Sequence, residues 1–544
     1  MKKFVALLLA GLMTLSLTAC GGGGATSSEP EPSSSTPASS TPASEAASEP
    51  EQIDISTQRF DGVTLDLFFL IGTDRGPVDE MEWFQKLSEQ TGITLNMETV
   101  SQRSDAVERI NLMLQSSDTP DVIMNGMTDA QVSAAASSGR IVELTPLIEK
   151  YMPTWREYFK TDDYGRKVAT MTDGKIWSLP KVCDSGMGLR MRDEWMINTK
   201  WLNELGLEIP TNTDEFYEVL KAFKDNAGKG SIPENVIPWA ARFNPAGQDY
   251  TNGGFYELYN AFGAFSGQDF LSVNDGKIYY SATDEKMIAA LEYLHKLYAE
   301  GLIQPEIFTD KQTDLDAKKF ADPPVVGTFL HFANLDFERV NYSPLPPMTS
   351  PQNDTPIYRS QENAKVARNY FTIFSNCENV EAALCLAETM GQPDWAMQAS
   401  YGMFGTAIIK NDDGTFYAPS GVDAKVVSNA VPGVVVPLLV TSELASKLTY
   451  EQDLRGADVR EFYDKYAVGI DRLLPPVMMS DSDLQTVSQI KTDLLNHIAQ
   501  TFADWIANGG ATEGFSTFVD QCKGLGLDTY LDTYQKALDA FNAN

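Results

Sequence analysis

The sequence predicts an α/β protein with a parallel sheet flanked by helices. Two observations carry that prediction. Short β-favouring apolar runs alternate with amphipathic segments between Gly62 and Gly126, giving strand, helix, strand, helix, strand within about 65 residues. Roughly 490 residues then follow the low-complexity N-terminus, too many for one hydrophobic core and enough for two or three domains.

The elements follow in order. "GVTLDLFFLIG" (Gly62 to Gly72) is apolar and ends at a glycine, as a buried strand does. In "PVDEMEWFQKLSEQTG" the residues Met81, Phe84 and Leu87 recur at helical spacing, with Gly92 as the C-cap. "ITLNMETV" is the second strand, Ala106 to Gln115 the second helix, and "TPDVIMNG" the third strand. In such sheets a ligand crevice lies beyond the carboxyl ends of the strands, which places Gly72 to Asp74 and Asn125-Gly126 beside it. Further on, Asn212 or Thr213 caps a helix, and Asn274-Asp275-Gly276 forms a hairpin turn before "KIYY". Met287, Ala290, Leu291, Leu294 and Leu297 share one helix face. A long helix opens at Asp481 or Ser482, with Leu484, Val487, Ile490, Leu494, Ile498, Phe502 and Trp505 in one stripe, and ends at Asn508-Gly509-Gly510. Trp83, Trp195, Trp201 and Trp505 are assigned to core.

The N-terminus reads differently. Lys2 and Lys3 precede an apolar run of 13 residues, Val5 to Leu17, where a spanning helix needs about 20. Small residues then lead to Cys20. That is the layout of a secretory signal over residues 1–19, and "LTAC" resembles the bacterial lipobox, whose cysteine is lipidated. Residues 20–52 are almost wholly Gly, Ser, Thr, Pro, Ala and Glu, a composition that cannot bury enough apolar surface to order itself. They are expected to form a disordered, lipid-anchored linker.

The chain carries 42 basic and 75 acidic residues. With Lys2, Lys3 and the five glutamates of residues 21–52 set aside, 40 face 70. So acidic a body repels nucleic acid and anionic polymers. Beyond Cys20 only four cysteines remain, Cys183, Cys377, Cys385 and Cys522. Cys377 and Cys385 lie eight apart on a predicted helix, about 12 Å of rise and too far for a disulfide. With three histidines and no CxxC pair, a zinc site is not expected. No nucleophile elbow, HExxH, P-loop or post-strand GxGxxG is present, so catalysis is not expected either.

Several phrases together resemble the extracellular solute-binding proteins of ABC importers, family 1, and within it the large lipoprotein branch of oligosaccharide and alginate binders. They are "SSDTPDVI" (Ser116 to Ile123), "DGKIWSLP" (Asp173 to Pro180), "INTKWLNELGLEIPTNTDEFYEVLKAFKDN" (Ile197 to Asn226), "NAFGAF", "NDGKIYYSATDEKMIAALEYLHKLYAEGLIQPEIFT" (Asn274 to Thr309), "SYGMFG" and "LGLDTYLDTYQKALDAF". They occur in the family's order over nearly the whole body. The resemblance implies a two-lobed, periplasmic-binding-protein-like (type II) fold with a hinge between lobes. The boundaries assigned are 53–170 plus 325–385 for the N-terminal lobe and 171–324 plus 386–544 for the C-terminal lobe. It further implies a monomer, anchored at the outer face of the cell membrane through Cys20, that delivers an oligosaccharide to ABC permease subunits. A peptide or polyamine binder of the same type is the alternative, and a secreted carbohydrate-active enzyme or an adhesin is the rival from another class.

Some members of that branch carry a calcium loop after the helix that ends near Asp225. Here "DNAGKGSIPEN" fills the place, keeping Asp225 and Glu234 but setting Ala227 and Lys229 where oxygen ligands should alternate. No cofactor is therefore expected, with calcium at Asp225 and Glu234 as the alternative. "KNDDGTFY" reads as a hairpin turn.

A sugar cleft needs flat aromatic rings for apolar C–H faces and planar polar groups for hydroxyls. Candidates near turns, off the helical stripes, are Trp177, Trp239, Arg242, Phe243, His331, Asn334 and Tyr401, with Asn125, Asp184 and Arg190 as further polar contacts.

Overall fold

A computed structural model describes residues 52–116, 118–184, 193–245, 254–332, 341–451 and 462–543. Two sheets organise it. β1 (Thr64–Leu70), β2 (Thr94–Val100), β3 (Val122–Met124) and β4 (Leu179–Cys183) belong to the first, which β11 (Val366–Ile373) and β14 (Leu439–Val440) complete. The order is β14-β4-β11-β3-β1-β2. β1 pairs in parallel with β2 and β3, whereas β11 runs antiparallel to both β3 and β4. The predicted β–α–β–α–β stretch is therefore present, as part of a mixed sheet.

β1 shows why this strand sits in the middle. Leu65, Leu67 and Phe69 enter one core while Phe68 and Leu70 enter another, the period-two alternation of a strand covered on both faces. Helix α1 (Glu82–Thr91) buries Trp83, Phe84 and Leu87 against the first of these cores and stops at Gly92, whose φ of 77° only glycine adopts freely. α2 (Arg103–Gln115) and α3 (Asp129–Ser137) cover the opposite face through Ala106, Ile110, Val132 and Ala135.

The second sheet has the order β10-β5-β9-β6, from β5 (Asp193–Asn198), β6 (Ile237–Trp239), β9 (Val326–Phe332) and β10 (Tyr342–Pro344). Trp195 and Ile197 of β5 face a large core that also holds Leu494, Ile498, Phe502 and Trp505 from the helix Asp481–Asn508. That helix is capped by the Ser480 hydroxyl, one residue before the expected opening. The hairpin of β7 (Leu271–Asn274) and β8 (Lys277–Tyr280) turns at Asp275 and Gly276, both at positive φ as the turn chemistry demands. All four tryptophans assigned to core are buried, none more than 8 % exposed.

Among the described elements the chain changes sheet three times: between β4 and β5, between β10 and β11, and between β14 and the helix Asp481–Asn508. This pairing divides the chain differently from the expected boundaries. β4 pairs in the first sheet and β9 in the second, while Leu386, Met390, Trp395, Phe416 and Leu448 pack into the core beneath the first sheet. Short strands carry no signal of which sheet they join; hydrogen-bond partners hundreds of residues away decide it. The cysteines differ too. Cys377 precedes the helix Val380–Gly391 that contains Cys385, and all four described cysteines are buried.

Candidate functional site

The carboxyl ends of β1 and β3 do meet, and the details there are structural. Asn125 adopts a left-handed φ of 47°, and its side-chain amide donates to the Leu70 carbonyl at 3.0 Å. Thr128 then starts α3 with a capping box, its hydroxyl accepting from the Gln131 N–H and the Gln131 side chain accepting from the Thr128 N–H. This sets Asp129 in the first turn of α3.

Asp129 borders a cavity of about 470 Å³. The other walls come from Gly267–Ser272 beside β7, from Leu484 and Tyr534 of C-terminal helices, and from two connecting segments, 359–364 and 473–479. The cavity thus lies between α3, which covers the first sheet, and the β7–β8 hairpin and C-terminal helices packed with the second core, and it borders two of the three crossings. Its polar rim is held by compensated groups. Asp129 accepts from the Asn369 amide at 2.7 Å, and Asp269 pairs with Lys491 at 2.5 Å. Asn363 donates to the Leu474 carbonyl at 2.8 Å, tying the two crossing segments together. Arg359 lies over the Tyr256 ring, 5.1 Å from its centroid. Asp269 and Phe270 are consecutive non-glycine residues at positive φ, the local strain that clusters at functional sites. Behind the rim, Gln361 donates to buried Asp193 at 3.4 Å. Glu257, buried close to Asp193, has its carboxyl pushed up to about 8, chiefly by burial.

Among the described residues, none of those expected to touch ligand borders this cavity. Trp239 is 0 % exposed, enclosed by Trp195, Phe216 and Phe255 at ring-centroid distances of 5.4, 5.8 and 5.5 Å. It is core, because it lies on strand β6 and not at a loop end, with its indole buried in the second core. Phe243 packs edge-on to Phe255 and Phe308 at the margin of the same core, and Arg242 beside it is half-buried. Trp177 is half-buried over the core that contains Phe68; its indole N–H donates to Asp173 at 2.8 Å and Lys175 lies over its ring. Asp184 directly follows β4, accepting from the Ser442 hydroxyl at 2.5 Å with Lys365 at 3.6 Å. His331 lies in β9 against the Phe320 ring, and burial with nearby Lys319 depresses its imidazole to about 4, so it is neutral at pH 7. Tyr401 is half-buried at the end of the helix Pro393–Tyr401. Arg190, Asn334 and Cys20 lie outside the described residues. The groups that do border the cavity sit in unpatterned connections such as "RSQENA" and "LLPPVMM"; their mixed Pro and polar content marks a crossing and nothing more.

The loop after the helix Thr213–Asp225 does not fit calcium. Lys221 pairs with Asp225 at 2.5 Å. The Lys229 ammonium donates to the Asn226 side-chain oxygen at 3.1 Å and to the Asp225 carbonyl at 3.4 Å. Ammonium groups stand where a cation would need oxygens, and Ala227 supplies no ligand. Among the described residues no group of three His, Cys, Asp or Glu side chains could hold a metal ion. "KNDDGTFY" is a hairpin between β12 (Ile409–Lys410) and β13 (Phe416–Ala418), with Asp413 accepting from the Thr415 N–H at 2.9 Å.

Two sheets joined by three crossings, with a polar cavity at those crossings, define a two-lobed solute-binding architecture. Residues 75–397 match the family of bacterial extracellular solute-binding proteins, and the chain belongs to that family. It is 27 % identical over 511 residues, 89 % of this chain and 93 % of the relative, to the fructooligosaccharide ABC transporter substrate-binding protein FusA of Streptococcus pneumoniae. Solved structures of FusA, with kestose and as an EF-hand mutant with fructo-nystose, align with TM-score 0.73 at 25 % identity, covering 88 % of this chain and all of theirs. An HMO-binding ABC-transporter-associated solute-binding protein from Bifidobacterium longum infantis has the same fold, with TM-score 0.76 at 21 % identity over 88 % of this chain and 99 % of its own. Lipoprotein LipO of Bacillus subtilis is 25 % identical over 251 residues, 46 % of each chain.

Proposed function

We propose that this protein captures an oligosaccharide between its lobes and delivers it, intact, to the permease of an ABC importer. The observation that carries the reading is the likeness to the fructooligosaccharide-binding FusA along 89 % of the chain. The cavity's chemistry supports it. Amide, carboxylate and guanidinium groups alternate with apolar surface, and the carboxylates Asp129 and Asp269 each have a cationic neighbour. A polyamine would need uncompensated carboxylates there, and the paired rim disfavours it. Closure follows from differential affinity of the ligand for the closed state.

Lobe boundaries that follow strand pairing are 53–184 with 358–450 for one lobe and 193–345 with 470–543 for the other. Signal cleavage before Cys20 and its acylation supply the membrane anchor. Residues 21–52 then tether a monomeric body within about 30 Å of the surface, the reach of a 32-residue flexible chain. That leash keeps the permease at high effective concentration.

A thermal-shift screen tests the reading with kestose, maltotriose, lacto-N-tetraose, a tripeptide and spermidine. A ligand at 100 times its dissociation constant adds about 2.7 kcal/mol, so a neutral sugar should raise the Tm measurably and be recovered unchanged. Stabilisation by spermidine or the tripeptide alone, or conversion of the sugar, would overturn it.

A further inference from the structure

One carboxylate in the cavity is built differently from the rest. Asp129 sits in the first turn of α3, and its side chain remains 39 % exposed. Its Oδ1 accepts from the Asn369 amide at 2.7 Å, a contact between residues 240 positions apart. Asn369 reaches it by adopting a left-handed φ of 67° where the register of β11 against β4 is broken between Ala367 and Phe371. Non-glycine residues hold that conformation only when their surroundings impose it.

The neighbouring residue supplies a second constraint. The Arg368 side chain is only 7 % exposed. One of its terminal nitrogens, Nη2, donates to the carbonyl of Pro476, which also borders the cavity. The other, Nη1, is buried without a hydrogen-bond partner and lies 3.7 Å from Asp129 Oδ2. A buried donor left unspent costs free energy, so the guanidinium is held here by the fold and aimed at the carboxylate. Among the described residues, none donates a hydrogen bond to Asp129 Oδ2.

The charges decide what this oxygen can take. A cationic ligand meets the buried guanidinium close behind Asp129, and an anionic ligand meets the carboxylate itself. A neutral hydroxyl donor faces neither penalty, and a carboxylate oxygen with two lone pairs accepts from two adjacent hydroxyls. Resting on the sugar reading above, we propose that Asp129 is the specificity-determining contact for a vicinal hydroxyl pair of an uncharged sugar. Arg368 and Asn369 are its positioning residues. The site thereby excludes uronates and polyamines.

Calorimetric titration of kestose, or of maltotriose if the thermal screen favours it, into the full body tests the assignment. Asp129→Asn should weaken binding at least tenfold with the Tm kept within 2 °C. Asn369→Ala should weaken it several-fold alone and add nothing in the Asp129→Asn background, because it acts through that carboxylate; a merely structural effect would persist there. Should Asp129→Asn melt early, Asp129→Glu, which displaces the charge by one methylene, takes its place with the same expectation. Unchanged affinity in the Asp129 variants, additive effects of Asn369→Ala, or tighter binding of trigalacturonate than of the neutral sugar would overturn the assignment while the sugar reading stands. Absence of binding to every neutral sugar by the wild type would sink both.

Discussion

Glu257 offers a sharp test of the electrostatics behind the second sheet. It lies in the helix Phe255–Ala261, 8 % exposed, and its Oε2 accepts from the Asn260 amide at 3.2 Å. Burial, with Asp193 adding to it, raises the carboxyl from 4.5 to about 8. The folded chain therefore holds this proton more tightly than the unfolded chain. That contribution to stability is fully present below about pH 4.5 and is lost as pH rises through about 8. Between pH 6 and pH 8 the loss amounts to about 2 kcal/mol. Glu257→Gln keeps the shape and the bond to Asn260 but does not titrate. Measured by calorimetry at the two pH values, the stability of the variant relative to the wild type should rise by that amount, about 4–8 °C in the Tm of a lobe of some 200 residues. Subtracting the wild type removes the titration of every other group. A difference between variant and wild type that is the same at pH 6 and pH 8 would refute the argument.

Three further outcomes follow from the packing and the sequence. Trp239→Ala empties the centre of an aromatic cluster that nothing nearby can refill, and should cost about 3–5 kcal/mol of stability in chemical denaturation; a loss below about 1 kcal/mol would show that the ring is not core. Thermal unfolding should be the same within error in millimolar calcium and in EDTA, since lysine ammonium groups occupy the loop after Asp225. A calcium-dependent rise of several degrees would contradict that donor-set argument. Cys20→Ser should release the protein from the membrane fraction of expressing cells into the medium, whereas continued sedimentation with membranes would remove the proposed anchor.

How much was legible from residues alone varies by element. The β1–α1–β2–α2–β3 unit declares itself, because a strand buried on both faces and a helix buried on one leave period-two and 3.6-residue signatures. The tryptophan assignments to core succeed for the same reason: Trp83, Trp201 and Trp505 fall on apolar helix faces. Trp239 misleads, since "IPWAARF" reads as a loop end, while pairing with β9 makes it part of the edge strand β6, from which the indole is buried in the second core. The boundaries drawn at 171 and 325 part from the pairing for a related reason, as β4 and β9 are similar short apolar runs that join different sheets.

By itself, the amino-acid order determined the local periodicities, the capped helix ends, the signal-like N-terminus with its low-complexity segment, and the phrases that place the chain among solute-binding proteins. Each of these is written in neighbouring residues. The cavity was decided only by tertiary structure. Asp129, Asn369 and Pro476 come together through strand pairings and crossings that span hundreds of residues, and the charge beside Asp129 belongs to an arginine 239 positions away. No local pattern encodes that proximity, because it is a property of how the two sheets are joined.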